Sequence, residues 1–210
     1  MPPQPRAIIF DYGNVLCLPQ RRSDLDAMAA VLSVDADEFH PIYWRYRLPY
    51  DRSDLDRESY WKQVARDANR EVSDSQIDRL VDLDNQSWAH PDLVMTRWAE
   101  SVRASGVRTA ILSNMPLPLR EYLDCCCAWL PAVDHSTYSC DVRMTKPDPR
   151  IYRHCLEGLG IEPEEAVFLD DREENVEAAR EVGIHAILFT SYEQAVAEVN
   201  AQQGRHSPPL

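Results

Sequence analysis

Reactive side chains cluster around short apolar runs at several points of this 210-residue chain. They are Asp11 after Ile8-Ile9-Phe10, Ser113 and Asn114 after Ile111-Leu112, Lys146 before Pro147, and Asp170 and Asp171 after Phe168-Leu169. A carboxylate can attack phosphorus and form an aspartyl-phosphate. Carboxylates from two strands can hold one Mg²⁺ ion, and a hydroxyl with an ammonium group can bind phosphate oxygens. The residue types together favour phosphoryl transfer.

Each of these groups, taken alone, has a simpler interpretation. Ser113-Asn114 is typical of a turn, and Lys146 before a proline is typical of a solvated side chain at a helix start. The pair Asp170-Asp171 is common at helix N-termini, where the dipole favours acidic residues. Only the combination of all four stretches, each beside a predicted strand end or helix start, favours one shared site.

These groups can meet only if their elements share one edge of a sheet. The apolar runs around Ile8, Ile111, Val167 and Ile187 are short and bounded by turn residues, which predicts buried parallel strands. A further short strand is predicted at Ala132-Val133. Helical periodicity separates the strands, so we expect an α/β fold with a Rossmann-like, doubly wound parallel sheet. Ligands of such sheets bind at the carboxyl ends of the strands.

The segment between the first two predicted strands carries helical patterns only. We expect residues 17–90 to form an inserted all-helical cap domain. The Rossmann-like catalytic core then comprises residues 1–16 and 91–210. Because the insertion leaves the sheet just after Asp11, the cap has to lie over the reactive edge.

Three serines are predicted to start helices within the cap segment. Ser23, Ser53 and Ser73 each stand before a stretch with apolar residues at helical spacing, and a serine hydroxyl can accept a hydrogen bond from the first turn. Ser73 also fits a capping box with Gln76.

Composition limits the classes of partner. The net charge of −13 and the pI near 4.8 disfavour nucleic acid or an anionic membrane as the main partner. No apolar run approaches the roughly 20 residues of a membrane span, and residues 1–6 lack the apolar region of a secretory signal. The Cys125–Cys127 block has no zinc or disulfide spacing, so we expect reduced thiols on a helix face. These features predict a soluble cytoplasmic protein, and they leave the oligomeric state open.

Four motifs resemble those of the haloacid dehalogenase superfamily. They are Phe10-Asp11-Tyr12-Gly13-Asn14-Val15-Leu16, Leu112-Ser113-Asn114, Lys146-Pro147-Asp148-Pro149-Arg150-Ile151-Tyr152 and Phe168-Leu169-Asp170-Asp171-Arg172-Glu173-Glu174-Asn175-Val176. The resemblance covers nearly the whole chain and includes a helical cap after the first strand. Within the superfamily, the chain is most similar to small bacterial sugar-phosphate phosphatases of the α-glucose-1-phosphatase type.

The resemblance implies a hydrolase that uses Mg²⁺ and acts on a small phosphorylated molecule. It implies catalytic roles for Asp11 as nucleophile and for Lys146. It implies phosphate binding by Ser113, Asn114 and Lys146, and metal binding by Asp11, the carbonyl of Gly13, Asp170 and Asp171. Within the acidic pair, we expect Asp171 to bind the metal directly. Asp170 would act through water or hold Lys146.

Position 13 departs from the pattern of most phosphatases in the superfamily, which carry a second Asp there as general acid and base. Gly13 has no side chain for that role, although the sugar-phosphatase branch also shows glycine. Without a dedicated acid, the leaving oxygen departs with little proton assistance, which favours good leaving groups such as an anomeric phosphate. Asp51 of the cap is a candidate replacement, but a surface charge is the simpler interpretation of that residue.

The aromatic and basic segment around residues 43–50 is the candidate region for substrate specificity. Its members are Tyr43, Trp44, Arg45, Tyr46, Arg47 and Tyr50, followed by Asp51. Aromatic faces and guanidinium groups suit sugars and phosphates. Packing within the cap's own core is nevertheless the expected role of most of them.

Three alternative functions follow from the same residues. A metal-free dehalogenase of this superfamily would use Asp11 and Lys146 but has no use for two carboxylates at 170 and 171, because buried anions without a cation are costly. A phosphorylated receiver domain places its acidic pair after the first strand, so the order here is wrong. A catalytically degenerate protein that only binds phosphate and metal would explain Gly13.

Overall fold

A computed structural model of the chain describes residues 5–202. A parallel sheet of five strands forms its centre. The strands are β1 (Ala7–Phe10), β2 (Arg108–Ser113), β3 (His135–Tyr138), β4 (Ala166–Asp170) and β5 (His185–Leu188). The outermost parts of the predicted core, residues 1–4 and 203–210, lie outside the described residues.

Strand β1 lies in the middle of the sheet, whose order is β3-β2-β1-β4-β5. Phe10 pairs with Ile111 of β2 on one side and with Leu169 of β4 on the other. The ends of these three strands are therefore level, and the residues that follow them meet in one crevice. This arrangement confirms the predicted doubly wound α/β fold.

Helices precede or follow every strand of the sheet. They are α1 (Arg22–Val31), α2 (Ala36–Arg45), α3 (Arg47–Asp51), α4 (Arg57–Asp67), α5 (Asp74–Ser87), α6 (Leu93–Ala104), α7 (Leu117–Cys126), α8 (Ser139–Val142), α9 (Pro149–Leu159), α10 (Glu173–Val182) and α11 (Tyr192–Gln202). None of the helices in residues 5–202 combines the length and apolar character that a membrane span requires.

The two faces of the sheet bury separate sets of side chains. Ile8 and Phe10 point to one face and pack with α6, α7 and α11, whereas Ile9 points to the other and packs with α9 and α10. This is the period-two alternation of a strand that is covered on both sides. Every residue of β1 is at most 1% exposed, so the strand holds its end in a fixed position.

Helices α1 to α5 all lie between β1 and β2 in sequence and have a hydrophobic core of their own. Its largest fully buried side chains include Trp61, Tyr43, Tyr50 and Tyr60, and the rings of Tyr50 and Tyr60 stack with centroids 4.2 Å apart. Each of the five helices buries only part of its surface, which matches their amphipathic sequence patterns.

Two of the three predicted serine caps are wrong. Ser73 caps α5 and forms the expected capping box. Helix α1 instead begins after Arg21, and α4 begins after Asp56, whose carboxylate accepts from the Ser59 N–H at 2.7 Å. Ser53 cannot cap that helix, because its hydroxyl donates to the carbonyl of Cys140 at 3.1 Å.

The third strand also lies further along the chain than the sequence predicts. The apolar pair Ala132-Val133 precedes it, and pairing begins at His135, opposite Ala110. The strand is at the sheet edge and is rich in polar residues, so its apolar signal is weak. The three cysteines of the Cys125–Cys127 block are free, as expected; Cys125 and Cys126 are exposed at the end of α7, and only Cys127 is buried.

Candidate active site

Asp11 is placed by the buried strand β1, which ends one residue before it. The residue is 7% exposed, and one carboxylate oxygen accepts a hydrogen bond from the N–H of Tyr12 at 2.7 Å. Burial raises the pKa of Asp11 to about 7, the neighbouring Asp170 adds to the rise, and Lys146 opposes it. A counter-cation at the site would therefore keep this carboxylate ionised and able to act as a nucleophile.

The ammonium group of Lys146 bridges the first and fourth strands. Its Nζ lies 2.8 Å from Asp11 Oδ1 and 2.6 Å from Asp170 Oδ2, and it donates to the carbonyl of Leu112 at 3.0 Å. Lys146 is 2% exposed. Burial alone would lower its pKa, but the two carboxylates raise the pKa above its ordinary value, so the group stays charged.

The side chain of Asp170 is saturated by protein contacts. Besides Lys146, it accepts from the amide of Asn175 at 3.0 and 3.1 Å and from the N–H of Arg172 at 2.9 Å. Asn175 lies in the first turn of α10, so the helix that follows β4 carries its own partner for the carboxylate. These contacts orient Asp170 and hold Lys146 in front of it.

Asp171 is held by a residue of the first loop. The amide of Asn14 donates to Asp171 Oδ2 at 2.8 Å. Asn14 adopts a left-handed backbone with a φ of 58°, which asparagine tolerates better than most residues. The bond ties the loop after β1 to the loop after β4, and burial raises the pKa of Asp171.

The three carboxylates are close enough to share one cation. Asp11, Asp170 and Asp171 each offer an oxygen atom, and these atoms lie within 4.8 Å of one another. When all three are ionised, the single charge of Lys146 leaves two negative charges in a mostly buried space. Oxygen ligands with this charge fit a hard divalent cation such as Mg²⁺.

A cavity of about 580 Å³ opens in front of these residues. The polar wall on the sheet side includes Asp11, Ser113, Asn114 and Lys146. Within the described residues, the hydroxyl of Ser113 makes no hydrogen bond to another protein group. It is therefore available to a ligand, as its position after β2 predicts.

Comparison with known families agrees with this geometry. Residues 5–183 match a family model for haloacid dehalogenase-like hydrolases. The chain belongs to this family. The match covers strands β1 to β4, the inserted helices and the loops that carry all four motifs, and it ends two residues before β5.

Two curated relatives differ in how much of their length the chain spans. Phosphatase MT3486 of Mycobacterium tuberculosis is 34% identical over 191 residues, which cover 87% of this chain and 86% of the relative. Mouse acyl-CoA dehydrogenase family member 10 is 38% identical over 121 residues, which cover 53% of this chain and 10% of the relative. The chain thus matches a small part of the second protein.

A solved structure shows the same fold at low sequence identity. It is a family enzyme from Bacteroides thetaiotaomicron, determined in complex with magnesium and inorganic phosphate. The TM-score is 0.71 at 18% identity, and the alignment covers 90% of this chain and 98% of the other.

The inserted helices of this hydrolase supply the opposite wall of the cavity. Trp44, Arg47, Leu48 and Asp51 line it from α2 and α3, and Trp88 lines it beyond the end of α5. Trp44 is 39% exposed, as expected for a residue at a cavity rim. Four of the seven predicted specificity candidates do not line the cavity: Tyr43, Arg45, Tyr46 and Tyr50. Tyr43 and Tyr50 pack in the core of the inserted helices, as expected for most of this segment.

Arg47 is the centre of a buried polar network in these helices. Its Nε donates to Asp51 at 2.9 Å, and its Nη1 donates to Asp84 at 2.8 Å and to the Tyr43 hydroxyl at 2.6 Å. Tyr43 in turn donates to Asp84 at 2.6 Å. The prediction of a surface charge for Asp51 is wrong, since only 6% of the residue is exposed.

Several participants have little or no signal in the sequence. Asn114 is a predicted phosphate ligand, but its side chain holds the backbone of Lys146 through two hydrogen bonds. Asn14 and Asn175 fix the acidic pair, and Asp84 and Trp88 come from the far end of the helical insertion. Asn14 lies in the first motif and Asn175 in the fourth, and their places in these motifs are the local hints among these residues.

Proposed function

We propose that this hydrolase is a Mg²⁺-dependent phosphomonoesterase that acts through an aspartyl-phosphate on Asp11. The observation that carries the proposal is the contact of Lys146 with both Asp11 and Asp170, beside the third carboxylate of Asp171. Such a site supplies a nucleophile, a fixed cation and ligands for a second cation. Phosphoryl transfer needs little more than positioning and charge neutralisation.

Asp11 attacks phosphorus with one carboxylate oxygen, and water later hydrolyses the acyl phosphate. Lys146 and the Ser113 hydroxyl bind phosphate oxygens, and Asn114 positions Lys146 rather than binding phosphate through its side chain. Asp11, Asp171 and the carbonyl of Gly13 would hold Mg²⁺ directly. Asp170, whose oxygens already accept hydrogen bonds from the protein, would act on the ion through water and hold Lys146. The ion, when bound, supplies positive charge for the phosphate oxygens. The magnesium and phosphate bound by the Bacteroides enzyme support this assignment.

The inserted helices would act as a cap that selects the alcohol portion of the substrate. We place the cap at residues 17–90 and the core at residues 1–16 and 91–210. The separate hydrophobic core of α1 to α5 supports this division. The partner is a small phosphorylated molecule in the cytoplasm, and the net charge of −13 argues against nucleic acid and anionic membranes.

The preferred substrates would be sugar phosphates with good leaving groups. Gly13 cannot protonate the leaving oxygen, which favours an anomeric phosphate over a primary one. The aromatic and basic wall formed by Trp44, Arg47 and Trp88 suits a hydroxylated ring. Phosphatase activity in the Mycobacterium relative supports the reaction but leaves the ester open.

The two rival activities meet difficulties at the acidic pair and at Lys146. A dehalogenase that works without metal has no use for Asp171 beside Asp11 and Asp170, since the third carboxylate adds uncompensated charge. A degenerate binding protein would need no ordered nucleophile, yet Asp11 is in contact with the lysine that would orient it.

Hydrolysis of p-nitrophenyl phosphate with and without Mg²⁺ tests the proposal. We expect metal-dependent turnover in the wild type, loss of that turnover in Asp11→Asn, and normal turnover in Asp26→Asn, which changes an exposed carboxylate on α1. At pH 8, a sugar 1-phosphate should turn over faster than the matching 6-phosphate. Equal rates on the two sugars would contradict the leaving-group preference, and an inactive wild type that still binds Mg²⁺ would indicate a degenerate protein.

A further inference from the structure

We infer that Asp51 donates the proton that the leaving oxygen accepts, in place of the acid that is absent at position 13. The assignment rests on the proposed phosphatase function, because it concerns the same cavity and the same bond. It adds a catalytic residue from the inserted helices to the groups that the sheet supplies.

Of the carboxyl groups that line the cavity, one has no role yet in the proposed reaction. Within the described part of the chain, they are Asp11, Asp51 and Asp171. Asp11 is the nucleophile and Asp171 a metal ligand in the proposed reaction, so Asp51 is the remaining acid. An aromatic ring stands beside Gly13, since a β-carbon at that position would meet the Trp88 ring at 3.4 Å.

The contacts of Asp51 leave one of its oxygens open. Oδ1 accepts from Arg47 Nε at 2.9 Å, whereas Oδ2 makes no hydrogen bond to any residue between 5 and 202. Oδ2 can therefore carry a proton and present it to a ligand in the cavity. An acid held on one oxygen and open on the other is suited to directional proton transfer.

The backbone of Asp51 is tied to the loop that follows β2. Ser139 donates from its hydroxyl to the Asp51 carbonyl at 2.6 Å, and the same hydroxyl accepts from the N–H of Met115 at 2.9 Å. Met115 directly follows Ser113 and Asn114. The acid is thus fixed relative to the predicted phosphate-binding turn, and not only to its own helix.

The charges around Asp51 make its proton available near neutral pH. Burial raises the pKa of Asp51 to about 6, Asp84 adds to the rise, and Arg47 and the more distant Arg172 oppose it. Arg47 serves two carboxylates, so it does not fully neutralise either. Below about pH 6 the acid is mostly protonated, and above it the preference for good leaving groups should be strongest.

Proton transfer from Asp51 accompanies the formation of the aspartyl-phosphate. An oxygen of Asp11 bonds to phosphorus as the bond from phosphorus to the leaving oxygen breaks, and that oxygen takes the electron pair and the proton of Asp51. The alcohol leaves and Asp51 becomes a carboxylate. Water then attacks phosphorus, gives its proton to Asp51, and releases inorganic phosphate with the Asp11 carboxylate restored.

The test compares two esters of similar size and very different leaving groups, benzyl phosphate and p-nitrophenyl phosphate. The readout is the ratio of their kcat/KM values from pH 5 to pH 8, because kcat/KM reports phosphoryl transfer to Asp11 and not the hydrolysis of the aspartyl-phosphate that both esters share. Effects on the nucleophile cancel in this ratio. In the wild type, we expect the benzyl to p-nitrophenyl ratio to rise as the pH falls through about 6. In Asp51→Asn, the ratio should be at least about 100-fold lower at pH 5 and independent of pH.

Asp84→Asn is the matched control, because Asp84 binds the same guanidinium but does not line the cavity. It should retain a pH-dependent ratio even if both rates fall. A wild-type ratio that does not change with pH, or an Asp51→Asn ratio equal to the wild-type one, would overturn the role of Asp51 while leaving the phosphatase proposal intact. A wild type that hydrolyses neither ester would instead remove the proposed function, and this assignment with it.

Discussion

The side-chain amide of Asn114 forms two hydrogen bonds with the backbone of Lys146. Its Nδ2 donates to the Lys146 carbonyl at 3.0 Å, and its Oδ1 accepts from the Lys146 N–H at 2.8 Å. The loop after β2 therefore sets where the lysine begins, and Asp11 and Asp170 set where its ammonium group ends. A cation fixed at both ends needs no reorganisation when a phosphate arrives.

Replacing Asn114 with alanine should lower kcat more than it lowers stability. The variant loses both bonds to Lys146, so the ammonium group is no longer fixed, and we expect kcat on p-nitrophenyl phosphate to fall about 10- to 100-fold. The melting temperature should fall by a few degrees, in line with about 1–3 kcal/mol for two partly buried hydrogen bonds. Asn200→Ala, on the exposed side of α11, is the control. Unchanged kcat in Asn114→Ala would show that the pair has no part in positioning.

Removing the charge of Lys146 should make the protein depend on a divalent cation for stability. Lys146→Met leaves Asp11 and Asp170 buried without their ammonium partner, which costs about 3–5 kcal/mol. We expect no turnover, a lower melting temperature in EDTA, and a larger rise on adding MgCl₂ than in the wild type, because the ion can replace the lost charge.

The chain has one other lysine, Lys62, and it provides the control for that experiment. Lys62 forms an exposed pair with Glu58 on α4, and such pairs contribute little. Lys62→Met should match the wild type in turnover and in its response to MgCl₂. If Lys146→Met responds to the ion no more than Lys62→Met does, the carboxylates do not form a shared cation site.

The sequence predicts the sheet well because buried parallel strands have a strong and simple signal. The runs ending at Phe10 and Leu169 are apolar throughout, since both faces of the sheet are covered. Edge strand β3 is covered less and contains His135 and Ser136, so its position cannot be read from apolarity. Predictions of helix starts were wrong where tertiary contacts determine the partner of the capping side chain. Ser53 is an example, because its hydroxyl donates to the carbonyl of Cys140 in the core.

The sheet-borne part of the site is predictable, and the part borne by the inserted helices is not. Asp11 and Asp170 follow strands whose register is fixed by the sheet, so their proximity follows from topology. Arg47 and Asp84 are 37 residues apart on different helices, and only the packing of those helices brings them together. The same packing buries Asp51, which sequence reasoning places on the surface.

The buried carboxyl of Asp51 should give the stability a distinct pH dependence. Its pKa is raised from 3.8 to about 6, so the folded state holds the proton more tightly than the unfolded state. The contribution of the protonated Asp51 carboxyl to the free energy of unfolding is therefore complete below pH 3.8 and is lost as the pH rises through about 6. Denaturant unfolding of the wild type and Asp51→Asn should therefore show a wild-type minus variant difference that declines from pH 4 to pH 6 and is constant above it. A difference that rises over this range would mean that the carboxylate is the favoured form.

Trp44 should affect substrate affinity with little effect on folding. It lines the cavity rim, and its ring lies 6.2 Å from that of Trp88 in an edge-to-face arrangement. Trp44→Ala should raise KM for an aryl or sugar phosphate roughly 5- to 20-fold, as expected for loss of about 1–2 kcal/mol of ring contact. Leu93→Ala, which removes a more exposed side chain away from the cavity, should leave KM unchanged. If the KM of Trp44→Ala were equal to that of Leu93→Ala, the substrate would bind elsewhere in the cavity.

Acid quenching during turnover, followed by mass spectrometry of the peptide that contains Asp11, tests the central claim most directly. The experiment uses p-nitrophenyl phosphate with Mg²⁺, and hydroxylamine treatment identifies an acyl phosphate. We predict a phosphoryl group on Asp11 that hydroxylamine removes, and both the modification and turnover should be absent in Asp11→Asn. If Asp11→Asn turned over substrate as fast as the wild type, and neither protein carried a phosphorylated carboxylate, the aspartyl-phosphate mechanism would be contradicted.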